Sequence, residues 1–394
     1  MRAWYRSATL AGFAVWAIAL QNLSGTRVHF DFAQTSPSVS KAICGDWLNF
    51  RGDTGLQGVS PCTVPKSFSL AWSFKTGGPV KSSAVIHDRR VFVGCNDGNF
   101  YALDLESGTK RWVFKTEGAI EASACWQNGV VYVGSADFWF YALEANRGDL
   151  RWKHKTDGKI LGSANFFSAE NGNAFILVGG YDNKLYCFNS TTGSLLWSYQ
   201  AESFINGAPA VTADKVVFGS CDSKVRALSR TDGKLLTEID VGAYVPGSVA
   251  VGDTRAYLGH YGNEVACLDI SGGKVAWTYK NQNFPFFSSP AVSDKYVVIG
   301  ARDKKVHCLD RESGKQAWTF PTGGNVDSSP VICGDRVVVG SSDGFLYLLD
   351  LRTGRQLWSY EIGAPVTASP AVANGMIIIG AEDGTVYAFG PKQL

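Results

Sequence analysis

The chain has 394 residues, of which 45% are hydrophobic and 18% charged, with a net charge of +2. That balance allows a large buried core, and the lack of any long Lys/Arg run excludes an extended basic footprint for nucleic acid. Glycine (44 copies) beside 13% aromatics fits short strands joined by tight turns, because turns need positive φ and pleated surfaces favour bulky side chains.

In chain order, residues 1–25 read as a signal peptide or an N-terminal anchor. Arg2 and Arg6 flank the start of an apolar run from Ala8 to Leu20, charged then apolar as in a secretory signal and short for a membrane span. Ser24 and Gly25 offer a cleavage zone without a clean A-x-A. Either reading places the protein in the periplasm or outside the cell, with membrane contact only through an uncleaved anchor. Residues 26–69 form a lead-in. Cys44 and Cys62 stand within it, and an oxidising compartment leaves a disulfide between them open. Arg51-Gly52-Asp53 matches an adhesion tripeptide, too short a pattern to carry weight.

From residue 70 onward the chain repeats itself. Tryptophans fall at Trp72, Trp112, Trp152, Trp197, Trp277, Trp318 and Trp358, mostly forty residues apart, with Thr237 at the one vacant position. Within a unit, Ser82 to Ile86, Arg90 to Gly94, Asn99 to Asp104 and Thr109 to Thr116 read as four strands. Turn signals at Asn96-Asp97-Gly98 and Glu106-Ser107-Gly108 separate the later ones. A glycine closes the second strand at Gly94, Gly134, Gly180, Gly219, Gly259, Gly300, Gly340 and Gly380. An aspartate follows in seven units and is expected to bond its own turn. The prediction is an all-β, eight-bladed propeller over residues 70–394, of four-stranded antiparallel blades. The eighth unit stops after its third strand, so Leu70 to Thr76 should supply the fourth and close the ring.

The stretch from Ala102 to Trp112, with its copies ending at Trp152, Trp197, Trp277, Trp318 and Trp358, resembles the tryptophan-docking motif of the pyrroloquinoline-quinone-like (PQQ-like) propeller repeats. In that family the seven tryptophans named above would dock against the neighbouring blade. The resemblance admits two functions. One is a non-catalytic scaffold, as in the branch that includes the outer-membrane-protein assembly lipoprotein BamB. The other is a PQQ-dependent alcohol dehydrogenase, which would need the quinone and Ca²⁺.

The residues favour the first. No two cysteines are adjacent, the five histidines show no metal spacing, and no nucleophile motif occurs. Short loops between blades leave little room to cover a cofactor. No catalytic or metal-binding residue is assigned, and neither PQQ nor Ca²⁺ is expected. Cys187, Cys267 and Cys308 share a repeat position held elsewhere by alanine, as small buried residues do. Candidate binding residues at the channel mouth are Lys81, Glu121, Asn206, Phe287 and Asp327, within a set that also holds Leu161, Pro246 and Thr367. Trp139 and Phe286 come from two aromatic clusters, Phe138-Trp139-Phe140 and Phe284-Pro285-Phe286-Phe287, expected on the surface. The expected partner is an envelope or secreted protein, bound by a monomeric ring.

Overall fold

The computed structural model describes residues 44–169, 172–280 and 283–391; the leader at 1–25 and the lead-in up to residue 43 lie outside them. Among the described residues the strands form eight sheets that share one four-stranded antiparallel pattern, one of them with a short parallel fifth strand. In blade one, Val85–His87 is innermost, followed outward by Arg90–Gly94, Asn99–Asp104 and Lys110–Lys115. Phe68–Lys75 pairs antiparallel with Thr385–Pro391, so a strand from before the first blade completes the last one. The protein is an eight-bladed β-propeller closed by its own N-terminal strand.

Three contacts lock each blade to the next, and the sequence explains each. On the axis, the backbone amide of Ser83 donates to Ser123 Oγ at 3.1 Å, and Ser123 to Ser163 in the same way. The series resumes from Ala208 to Ser248, Ser289, Ser329 and Ser369 and returns to Ser83 at 2.9 Å. It is broken only where Ala208 stands in place of a serine. Farther out, the glycine ending each second strand leaves a hole for a side chain of the following blade. A Cβ at Gly94 would collide with Ile120, and one at Gly134 with Ile160. The third glycine of this set is Gly179, not Gly180: Gly179 faces Ile205, and the spacing to Asp182 then matches the other units. At the periphery, Trp72 Nε1 donates to Leu105 O at 2.8 Å while its indole lies over Gly108, where a Cβ would come within 2.6 Å.

Trp112, Trp152, Trp197, Trp277 and Trp318 repeat that docking on Ala145, Ser190, Arg230, Arg311 and Leu351. Trp358 faces the closing strand instead, packing on Phe68 and Phe389 with ring centroids 5.5 and 5.7 Å away. The aspartates after the glycines are structural, as expected. Asp97 accepts from its own turn at Asn99 N (2.8 Å) and from Tyr101 Oη (2.7 Å), and burial is outweighed by these bonds, leaving its carboxyl at about 2.

The lead-in does something the repeats do not announce. From Cys44 to Ser60 the chain runs once around the end of the innermost strands, touching every blade in turn. Cys44 O accepts from Asn374 N in blade eight, Trp47 pairs with Ile86 in blade one, and Leu48 O accepts from Trp126 N in blade two. Asn49 and Thr54 bond Asn165 in blade three, and Thr54 O also takes Val211 N in blade four. Gly55, Gln57 and Gly58 accept from Val251, Val292 and Ile332, and Val59–Ser60 lies parallel on Val331–Cys333. Ser60 Oγ reaches Val372 O in blade eight again, and a disulfide between Cys44 and Cys62 closes the circuit. These residues plug one end of the channel.

Arg51 is only 1% exposed inside this plug, where it donates to the carbonyls of Ser329 (3.1 Å), Pro290 (3.2 Å) and Pro330. Burial lowers its guanidinium to about 9, so it stays charged at neutral pH. Burial likewise raises Asp53 to about 6, against the amide of Gln57. The adhesion-like tripeptide is therefore part of the plug.

Two outcomes follow for stability. Trp318→Ala should cost about 3–5 kcal/mol, and hydrogen exchange should show the junction after Thr237 opening before the one locked by Trp318. Replacing Cys44 and Cys62 together by serine should cost about 3 kcal/mol by loop-closure entropy, measured by denaturant melting of the oxidised protein and the variant.

Candidate functional site

With one end plugged, the channel is a blind funnel of about 350 Å³, within the range of small-molecule sites. Its mouth is lined by all eight residues expected there, its wall by the axial serines, and its floor includes Phe50 of the plug. The small residues beside the mouth are set by crowding: a Cβ at Gly247 would meet Phe287 O at 2.9 Å.

The charges at the mouth are paired. Arg302 holds Asp327 through two bonds of 3.1 and 2.9 Å, and that carboxylate raises the guanidinium pKa. Glu121 accepts from Asn96 at 3.0 Å and sits 3.8 Å from Lys81. Tyr181 Oη donates to Asn206 Oδ1 (2.9 Å), Asn206 Nδ2 to Pro246 O (2.7 Å), and Thr367 to Glu382 (2.9 Å). The Arg302 guanidinium also lies 3.6 Å from the Phe287 ring centroid, a cation–π contact.

Around the mouth each blade builds the same two-residue rung, in which a turn amide donates to the carbonyl of the loop entering the blade. Asn96 to Pro79 and Ala136 to Ala119 are two rungs; Cys221 to Phe204 and Tyr261 to Tyr244 are two more. Because the rungs are geometrically equivalent, the fold does not require aromatics in any of them. Aromatics nevertheless gather in one sector, blades three to six. Tyr181 stacks on Phe204 (4.8 Å), Tyr244 meets Tyr261 (6.0 Å), and Tyr261 meets Phe287 (4.7 Å). Of these only Phe287 stands out in the sequence, since the others are scattered singly along the chain.

The two aromatic clusters separate on inspection. Phe286 is fully buried, not on the surface. It fills the hole over Gly259 that Ile120, Ile160 and Val326 fill in other blades, so it is a packing residue. Phe284 is the exposed member of that cluster. In blade two, Phe140 is buried and Trp139 is half-buried, with Lys153 Nζ 4.2 Å from the centroid of one of its rings. Phe138 is the unexpected one. It sits at φ +74, the left-handed turn position held by Gly98, Asn183, Ser223, Asn263, Lys304, Gly344 and Gly384 elsewhere, yet it is 39% exposed. A bulky side chain there is strained, and such strain gathers at functional positions.

The remaining candidates for chemistry are occupied by structure. Burial pushes the thiols of Cys187 and Cys308 up to about 12 and that of Cys267 to about 11. His307 meets Tyr279 of the preceding blade at 3.2 Å. The carboxylates of the funnel are held by protein groups. Calcium takes six to eight oxygens, whereas the carboxylates here are engaged by Arg302, Lys81 and Asn96. Among the described residues no three His, Cys, Asp or Glu side chains converge.

Eight four-stranded blades locked by docking tryptophans define a PQQ-like repeat propeller. The chain belongs to the family described as outer membrane protein assembly factor BamB, which it matches over residues 63–174, 162–283, 221–365 and 302–393. Among solved structures, BamB from Moraxella catarrhalis superposes with a TM-score of 0.69 at 19% identity, over 83% of this chain and 99% of that one. The quinohemoprotein alcohol dehydrogenase from Comamonas testosteroni superposes at 0.77 and 15% identity, over 90% and 82%. That of Pseudomonas putida HK5, ADHIIG, gives 0.74 and 13%, over 88% and 80%. At these identities the likeness is one of fold. No curated protein matches the sequence.

Phe138→Gly should raise stability by about 1–2 kcal/mol, because glycine adopts the left-handed turn without strain. A higher melting temperature checks it.

Proposed function

We propose that this protein is a non-catalytic, extracytoplasmic scaffold that captures a protein of the cell envelope on its funnel face. The observation that carries the reading is Phe138, an exposed aromatic kept at a position where it strains the backbone. A rigid ring with a few aromatic anchors is enough for protein recognition, since a handful of such residues supply most of the binding energy. Family membership supports an envelope setting, and the charge-then-apolar leader supports export. In this reading the ring works as a monomer and needs neither PQQ nor Ca²⁺. The dehydrogenase reading draws on fold likeness alone, which does not specify chemistry.

The test is capture of a partner from an envelope fraction by immobilised protein. Phe138→Gly should weaken capture about tenfold or more, the loss typical of an anchor residue, while leaving the ring folded. Stoichiometric uptake of PQQ in the presence of Ca²⁺, with dye-linked oxidation of an alcohol, would overturn the scaffold reading in favour of the dehydrogenase.

A further inference from the structure

We propose that the funnel and its aromatic sector take an extended, uncharged, proline-rich segment of the partner; this rests on the scaffold reading and names what that surface recognises. Hydrogen-bonding capacity around the funnel is unevenly spent. The polar acceptors at the mouth are already engaged within the protein: Asp327 by Arg302, Glu121 by Asn96, Asn206 Oδ1 by Tyr181, and Glu382 by Thr367. The axial serines are in the opposite state. Each Oγ of the ring accepts a backbone amide, and among the described residues none of these hydroxyls donates to a protein acceptor. The wall therefore offers a row of hydroxyl donors.

A proline-rich chain is the complement of that wall. Proline has a carbonyl but no amide N–H, so a polyproline helix presents acceptors without matching donors. Its pyrrolidine rings pack on flat aromatic surfaces, as in other grooves that read this conformation. The sector supplies such surfaces, with Phe204, Tyr244 and Tyr261 between 44% and 55% exposed. Charged ligands gain little where Arg302–Asp327 and Lys81–Glu121 already neutralise one another. Equivalent rungs in the other blades carry Pro79, Ala119 and Ala136, so the sector's rings are not demanded by the fold.

The probe is a capped, fluorescein-labelled decaproline, followed by fluorescence polarisation against the full chain. Saturable binding is expected, competed by unlabelled decaproline but not by a capped Gly-Ser peptide, maltotetraose or PQQ. The double variant Tyr244→Ala/Tyr261→Ala should bind at least tenfold more weakly with an unchanged melting temperature. Phe204→Ala gives an independent check should the double variant misfold. Absence of saturation at millimolar probe, equal binding by the variants, or competition by maltotetraose or PQQ overturns the proposal. If decaproline fails while a partner is still captured through Phe138, the scaffold reading stands and this inference falls. Decaproline binding without any capture leaves the ligand class standing and overturns the scaffold reading.

Discussion

The hydrogen bond from one axial amide to the serine hydroxyl of the next blade is the interaction on which the rest of the structure depends. Each sheet of a closed ring touches only its two neighbours, so no central core shares the load. The ring holds only if every junction is locked, and the axis is where the eight innermost strands are most crowded. Serine suits that place because it is small and its Oγ can accept the amide that the neighbouring strand would otherwise leave unpaired. The glycine-to-aliphatic contact and the indole over the turn glycine lock the same junction farther out. Blade four is the exception at both radii. Ala208 interrupts the serine series on its inner side, and Thr237 replaces the indole on its outer side, where the nearest atom to a Cβ at Gly273 is Thr237 Cγ2 at 3.6 Å. Arg226 compensates within that blade by bonding Asp222 and Glu238 at 2.8 Å while only 2% exposed.

The plug and the funnel are two answers to one geometric problem. An eight-membered ring leaves a hole too wide for its own side chains to fill. At one end the protein fills it with residues 44–60, satisfying backbone groups of the innermost strands and closing the path with a disulfide. At the other end the hole stays open and is dressed with paired charges, hydroxyls and a lopsided set of aromatics. A channel open at both ends would be a pore; closed at one end it becomes a receptacle.

Much of this is legible in the sequence. The tryptophan and glycine spacings specify eight blades and the closing strand, because a repeated junction imposes a repeated residue. The serines at 83, 123, 163, 248, 289, 329 and 369 carry the same period and could have been read in that way. Phe286 was misplaced for a related reason. Its slot is aliphatic in the other seven blades, so an aromatic in a loop looked like a surface feature when it was a larger knob for the same hole. The adjacent Gly179 and Gly180 satisfy a one-dimensional pattern equally, and only the contact of Gly179 with Ile205 tells them apart. The plug was illegible because it occurs once. Many of its bonds run from backbone to backbone across the whole chain, and such contacts leave little trace in residue type. Phe138 was noticed as an aromatic, but its strain depends on φ, which composition does not report.

The circuit of residues 44–60 also has a consequence for the order in which the molecule can be made. Synthesis begins at the N-terminus, so these residues and the strand Phe68–Lys75 exist before any blade does. Their partners include Ile332, Val372, Asn374 and Thr385–Pro391, among the last residues to appear. For nearly the whole of translation the nascent chain must therefore carry an unpaired strand and an unseated apolar loop, both prone to pair with the wrong neighbour. Maturation cannot proceed blade by blade to completion. It ends in one late event, when the final strand arrives and the oldest part of the polypeptide settles into place.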